Sequence, residues 1–248
     1  MTSIRLPFRS TRRVSAWHRW FTERPQPGDR WRFAFYYHCG FTGPVPGFCR
    51  EVKHTPLLDI TPDEDALLAG FSKTTRYEIR RGGKDELEFG RVDDREDFRV
   101  FYDGFAEAKS LGVIDPLILN AYWPHMMVTR VMRGGNVLVM HAYVVDEALG
   151  RANLVYSASQ FRGKDEKETR RLYSRANRWL HFEDLRLFKR RGFGCYDFGG
   201  YAKGTTDPSL QAVNEFKDSF GGRVVEESNY TSLPLRWLRL AKGLLGRR

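Results

Sequence analysis

Two glycine pairs bracket a Phe-Lys dipeptide: Gly199-Gly200 closes the run CYDFGG, and Gly221-Gly222 closes NEFKDSFGG, which holds Phe216-Lys217. Glycine has no Cβ, so a pair after a strand marks a sharp turn or a place where a ligand or another backbone comes close. Asp197 stands at the end of the strand-like run FGCYDF, where a ligand can reach a carboxylate that orients an amine or takes its proton. An aspartate at that position can equally fix the turn through its own backbone. Tyr201, directly after the glycines, is placed for a pocket wall, whereas Tyr196, next to Asp197, is placed for the core. No G-x-S-x-G elbow or Cys-His arrangement appears, so the residues suit direct attack of one substrate on another better than a covalent enzyme intermediate. His181 could serve as a base, but a lone histidine on a long helix reads first as structural, and metal-ligand spacing is absent.

A second set of charged residues precedes these. The run TPDE at 61–64 offers an N-cap, a proline at the first helical position and a glutamate three residues after the cap, which predicts a helix from Thr61 to Gly82-Gly83. Leu68, Phe71, Thr75 and Ile79 share one face, and Lys73, Arg76, Arg80 and Lys84 share another, with Glu78 interrupting. Such a stripe is either a solvated face or a contact for an anionic partner. Like charges this close cost a helix roughly 0.2–0.5 kcal/mol per pair, which an anion would offset. Arg76, Arg80 and Arg81 suit phosphates, because the guanidinium fork bonds phosphate oxygens in pairs.

The remaining pattern supplies the scaffold. Strands are expected at 31–38, near 86–92, at 136–145 and 152–159 on either side of the DEALGR turn, at 193–198, and over RVVEESNY. Helices are expected over 94–110 with Phe98, Phe101, Phe105 and Ala108 on one face, in a piece broken by Pro124, from 170 to Lys189, and over 208–219. This is a mixed α/β order, and the long helix leading into the strand at 193–198 makes one parallel-type connection. The expected divisions are an N-terminal extension or partial domain at 1–55, a main domain at 56–232 and a basic tail at 233–248. The tail, SLPLRWLRLAKGLLGRR, fits either a helix lying in a membrane interface or a terminal helix docked on the core.

With 41 Lys and Arg against 31 Asp and Glu, the chain carries +10, which favours nucleic acid, phosphorylated substrates or an acidic membrane surface. A hydrophobic share of 41% is that of a globular chain with a proper core, and disorder is not the default. Cys39, Cys49 and Cys195 are odd in number and lack zinc spacing, and read as reduced thiols of a cytosolic protein. No segment has the length of a signal-peptide core or a membrane span.

The runs ITPDEDALLAGFSKTTRYEIRRGGK, SRANRWLHFEDLRLFKRRGFGCYDFGG and EFKDSFGG, together with the order of elements, resemble the GNAT acyltransferase superfamily and, within it, the Fem-type branch, over roughly residues 55–230. The resemblance implies an α/β fold with a GNAT-like mixed, mostly antiparallel sheet flanked by helices. It also implies transfer of an aminoacyl or acyl group to an amine of a phosphorylated or lipid-linked cell-envelope precursor or polysaccharide, with aminoacyl-tRNA as co-substrate and no bound cofactor. In that pattern Lys217 sits at the donor's acyl end and stabilises developing negative charge, Phe216, Gly199, Gly200 and Tyr201 wall the pocket, and Arg76, Arg80 and Arg81 hold phosphates. Fem-type ligases usually have two such domains, and this chain has room for one plus a fragment. The segment QFRGKDEKETRRLYSR lacks the R-x-x-G-x-G-like loop with which acyl-CoA users present backbone N–H groups to pyrophosphate. An acyl-CoA-dependent N-acyltransferase of the same fold is the second reading, and a non-catalytic anion-binding module the third. The expected location is cytoplasmic, in peripheral contact with the inner membrane surface.

Overall fold

In chain order the elements are β1 (Thr2–Phe8), β2 (Thr11–Trp20), β3 (Ala34–Cys39), β4 (Phe48–Asp59), α1 (Glu64–Gly70), α2 (Lys73–Gly82), β5 (Glu88–Arg91), α3 (Arg95–Ala108), α4 (Pro116–Tyr122), β6 (Met126–Arg133), β7 (Asn136–Asp146), β8 (Arg151–Ser159), α5 (Lys167–Arg190), β9 (Cys195–Asp197), α6 (Pro208–Asp218), β10 (Arg223–Ser232) and α7 (Leu233–Leu245). The structure, a computed structural model, describes residues 1–8, 11–161 and 167–245. Two compact units result, one from Met1–Thr55 with Val224–Arg248 and one from Pro56–Arg223.

In the first unit β1 and β2 pair antiparallel, β2 pairs parallel with β3, and β10 pairs antiparallel with β3. Ala34, Tyr36, Cys39 and Tyr230 form its core, and the buried Asp29 accepts from Arg19 and from the Tyr36 hydroxyl. The C-terminal helix α7 docks through Leu235, buried against Ala16 and Phe35, while Trp237 stays exposed. Residues 246–248 of the basic tail lie outside the described residues. The three cysteines are free, and among the described residues no helix is long and apolar enough to cross a membrane.

The second unit has the expected α/β architecture, a mixed, mostly antiparallel sheet flanked by helices. The end of β4 pairs antiparallel with β9 (Leu57↔Asp197), β9 pairs parallel with β8 (Ala152↔Tyr196), and β8, β7, β6 and β5 follow as antiparallel neighbours. The one parallel pair needs a crossover, and α5 supplies it. Alternate residues of β7 face opposite layers, as the two-residue period of a strand requires. Met140 and Ala142 pack with Phe98 and Phe101 of α3, whereas Val139 packs with Ala176 and Leu180 of α5 and Tyr143 with Leu185 and Phe188. His141 and Tyr143, both polar and fully buried, therefore point toward α5.

Three expectations are corrected. The single helix from Thr61 is two: Asp63 caps α1 and Ser72 caps α2 by accepting from the Thr75 N–H, while Thr61 bonds back to Asp59. The break is held from outside, because the Ser72 N–H donates to the Ser219 carbonyl at 2.8 Å and the Thr75 hydroxyl to the Ser219 hydroxyl at 2.7 Å. On α3 the buried small residue is Ala106, not Ala108. β6 was not expected, because a 3-10 turn over Trp123–His125 runs directly into MMVTRVMR with no Gly, Asn or Asp to mark the strand's start.

Candidate active site

The pairing of β8 with β9 ends at Asn153↔Asp197, and beyond it β8 continues to Ser159 while the other chain turns away. Gly199 makes that turn at φ +71°, with its Cα pressed against the Leu154 carbonyl, so that a Cβ there would overlap the oxygen. On the other side of β8 the register to β7 steps from Ala142↔Tyr156 to Tyr143↔Leu154, which leaves Val155 as the extra residue of a β-bulge. The splayed strands open a cavity of about 500 Å³, lined by residues 154–157 of β8, Asn177 and His181 of α5, Phe198 and Gly200, and Phe216 and Lys217 of α6.

Lys217 is held at this cavity by two backbone carbonyls. Its Nζ donates to Gly200 at 2.5 Å and to Gly199 at 3.3 Å. Burial lowers its pKa to about 8, against the opposing pull of the Asp197 charge. Phe216 packs its ring 5.4 Å from that of His181, and the Arg178 guanidinium lies 4.9 Å above its face. The second glycine pair shapes the same region from below: Gly221, at φ +75°, comes so near Gly70 that a Cβ would sit 2.6 Å from the Gly70 oxygen.

Five expected site residues are placed elsewhere. Asp197 is fully buried and does not line the cavity: it accepts from Arg151 Nε at 3.0 Å and from the Gly199 N–H at 2.8 Å. Of the two roles read for it, fixing the turn is the one its hydrogen bonds serve, and its charge reaches Lys217 only through space. Tyr201 donates to Asp218 at 2.9 Å and is not part of the cavity wall. Arg76 bonds the carbonyls of Ala69 and Phe71, closing the end of α1. Arg80 and Arg81 are exposed on α2 and do not line the cavity.

What the sequence reading missed is a buried polar network behind the cavity. The His181 Nδ1 lies 2.6 Å from the Tyr196 hydroxyl, which lies 2.7 Å from that of Tyr143, which donates to Asp184 at 2.5 Å. A second arm joins Asp184 to His141 Nδ1 at 2.8 Å and His141 Nε2 to Asn177 Oδ1 at 2.8 Å. His181, for which the sequence allows a base but favours a structural role, stands at the cavity wall at one end of the network, with Asn177 at the other. Burial, then the charges of His141, Lys217 and Arg178, push the His181 pKa well below its ordinary value. Burial likewise lifts Tyr143 and Tyr196 well above theirs, so both are neutral phenols. Asn177, His181 and Asp184 recur at i, i+4 and i+7 of α5, a polar stripe on its buried face that periodicity alone could have shown.

No known family matches the chain, and no curated protein matches it. Solved structures do. FemX aligns with a TM-score of 0.57 at 16% identity, over 83% of this chain and 68% of its own. The C-terminal domain (DUF2156) assigned to a lysylphosphatidylglycerol synthetase of Agrobacterium fabrum aligns at 0.55 and 16%, over 87% and 77%. L-PGS from Bacillus licheniformis aligns at 0.50 and 14%, over 89% and 75%. At these identities the likeness is one of fold, the mixed α/β architecture that this chain shares with FemX and the two lysylphosphatidylglycerol-synthetase structures.

Proposed function

We propose that this chain is an acyltransferase that moves an aminoacyl group from aminoacyl-tRNA to an amine of a phosphorylated or lipid-linked envelope precursor, by direct attack within the cavity. The observation that carries the reading is Lys217. Two of its three N–H groups are spent on the carbonyls of Gly199 and Gly200, and the third is left for a ligand. With a pKa of about 8 it is largely an ammonium at neutral pH, in a place where burial strengthens every charge. The neutral amine would attack the ester carbonyl, a C–N bond would form, and the oxygen would carry negative charge beside Lys217 until the ester C–O bond breaks. A preorganised donor of this kind is worth about 10²–10³ in rate.

Fold likeness to FemX and to a protein named for lysylphosphatidylglycerol synthesis supports an aminoacyl donor. The +10 charge supports a polyanionic donor or acceptor equally. The segment whose glycine pattern bears on acyl-CoA includes residues 162–166, outside the described residues. The test is binding and transfer with charged tRNA, uncharged tRNA and acetyl-CoA over a salt series, in the wild type and in Lys217→Ala. Preference for charged tRNA that the variant loses supports the reading. Productive acetyl-CoA binding, with tRNA association that ignores charging, replaces the donor with a thioester. A folded variant with unchanged transfer removes Lys217 from the mechanism.

A further inference from the structure

We infer that His181 is the general base and acid of this cavity, its reactive nitrogen fixed as Nε2 by the buried chain through Tyr196 and Tyr143 to Asp184. The inference rests on the proposed transfer and adds to it the residue that moves the proton.

Hydrogen-bond direction decides the point. Asp184 as a carboxylate can only accept, so the single Tyr143 proton goes to it. Tyr143 must then accept from Tyr196, and Tyr196, its own proton spent, must accept from His181 Nδ1. His181 is therefore the Nδ1–H tautomer, and Nε2 carries the lone pair. Among the described residues none is bonded to Nε2, although the side chain is almost wholly buried and lines the cavity. Tyr196 and Tyr143 are positioning residues in this scheme, as is Asp184.

The ring is packed by Phe198, Phe216 and Phe220. The ionisable groups around it are His141 from β7, Tyr196 from β9, Lys217 from α6, and Arg178 and Asp184 from α5. Three of them, His141, Lys217 and Arg178, disfavour a lasting imidazolium. That suits a shuttle. When the amine forms the C–N bond, its proton passes to Nε2; when the ester C–O bond breaks, the same proton passes to the departing oxygen, and His181 ends neutral. Lys217 steadies the oxyanion between these events, so the two residues divide the work.

Two measurements test this. Long-range 1H–15N NMR of histidine-labelled wild-type protein reads the tautomer without any reaction, and the result expected is an unprotonated Nε2, converting to a tautomer mixture in Tyr196→Phe. In steady-state transfer, His181→Gln should lose on the order of 10²-fold or more in kcat, with KM little changed, as removal of a general base does. An Nε2–H tautomer in the wild type overturns the inference even if the variant fails to fold. An active wild type with kcat unchanged in folded His181→Gln overturns the base role alone. A wild type that transfers nothing overturns the proposed function and the base role with it.

Discussion

The Lys217 ammonium lies 2.5 Å from the Gly200 carbonyl and belongs to α6, while the carbonyl belongs to the turn that leaves β9. One ionisable group thus ties the helix carrying the Phe-Lys dipeptide to the glycine turn that opens the cavity.

The first prediction follows from its pKa of about 8, lowered from 10.5 mainly by burial. If the ammonium stabilises the oxyanion, kcat falls as pH rises through about 8. Stability runs the other way. Between about 8 and 10.5 the unfolded chain holds the proton that the folded chain has lost, so this site's contribution to stability rises with pH across that window. Lys217→Met should abolish the alkaline limb of kcat and flatten that part of the stability profile, read by urea denaturation at a series of pH values.

Asp197 supplies the second. Its carboxylate raises the Lys217 pKa and is itself paired with Arg151, the two side chains 0% and 12% exposed. Asp197→Asn keeps an oxygen for the Gly199 N–H but removes the carboxylate charge that faces Arg151, a loss of about 3 kcal/mol. With the charge gone, the Lys217 pKa drops further and the alkaline limb moves to lower pH. An unmoved limb in a destabilised but active variant would mean that Asp197 serves the fold only.

The glycine pairs separate two demands that look alike in sequence. Gly221 at φ +75° approaches the Gly70 carbonyl, and Gly199 at φ +71° approaches that of Leu154, whereas Gly200 has nothing near its missing Cβ. Alanine at 221 or 199 meets both a left-handed backbone and a backbone clash, and should cost about 2 kcal/mol or more. Gly200→Ala should leave the melting temperature nearly unchanged. Equal effects at all three positions would show that the turns, and not the close approaches, need glycine.

These positions also show how much of the site could be read ahead of the structure. Glycine pairs announce turns locally, but which backbone each one approaches depends on a partner some 45 to 150 residues away in the chain. Lys217 and Phe216, which line the cavity, stand out in the sequence because a turn motif brackets them. The polar stripe Asn177, His181, Asp184 was visible at helical spacing, yet its meaning depends on His141, Tyr143 and Tyr196, which reach it only through strand pairing and the two-residue alternation of β7. The break between α1 and α2 is likewise made by Ser219, which no local pattern connects with Ser72.

The basic stripe of α2 gives the last prediction. Arg76 is already engaged with the carbonyls of Ala69 and Phe71, so Arg76→Ala should lower the melting temperature and change tRNA affinity little. Arg80 and Arg81 are exposed on the last turn of the same helix. If they meet phosphates of a bound polyanion, Arg80→Glu and Arg81→Glu each weaken binding, and each lost phosphate contact shallows the dependence of log K on log salt by about 1. Both residues are outside the cavity wall, so kcat at saturating substrate should stay as it is. Unchanged affinity and slope would make the stripe a solvated face and would assign recognition of the polyanion to another surface of the chain.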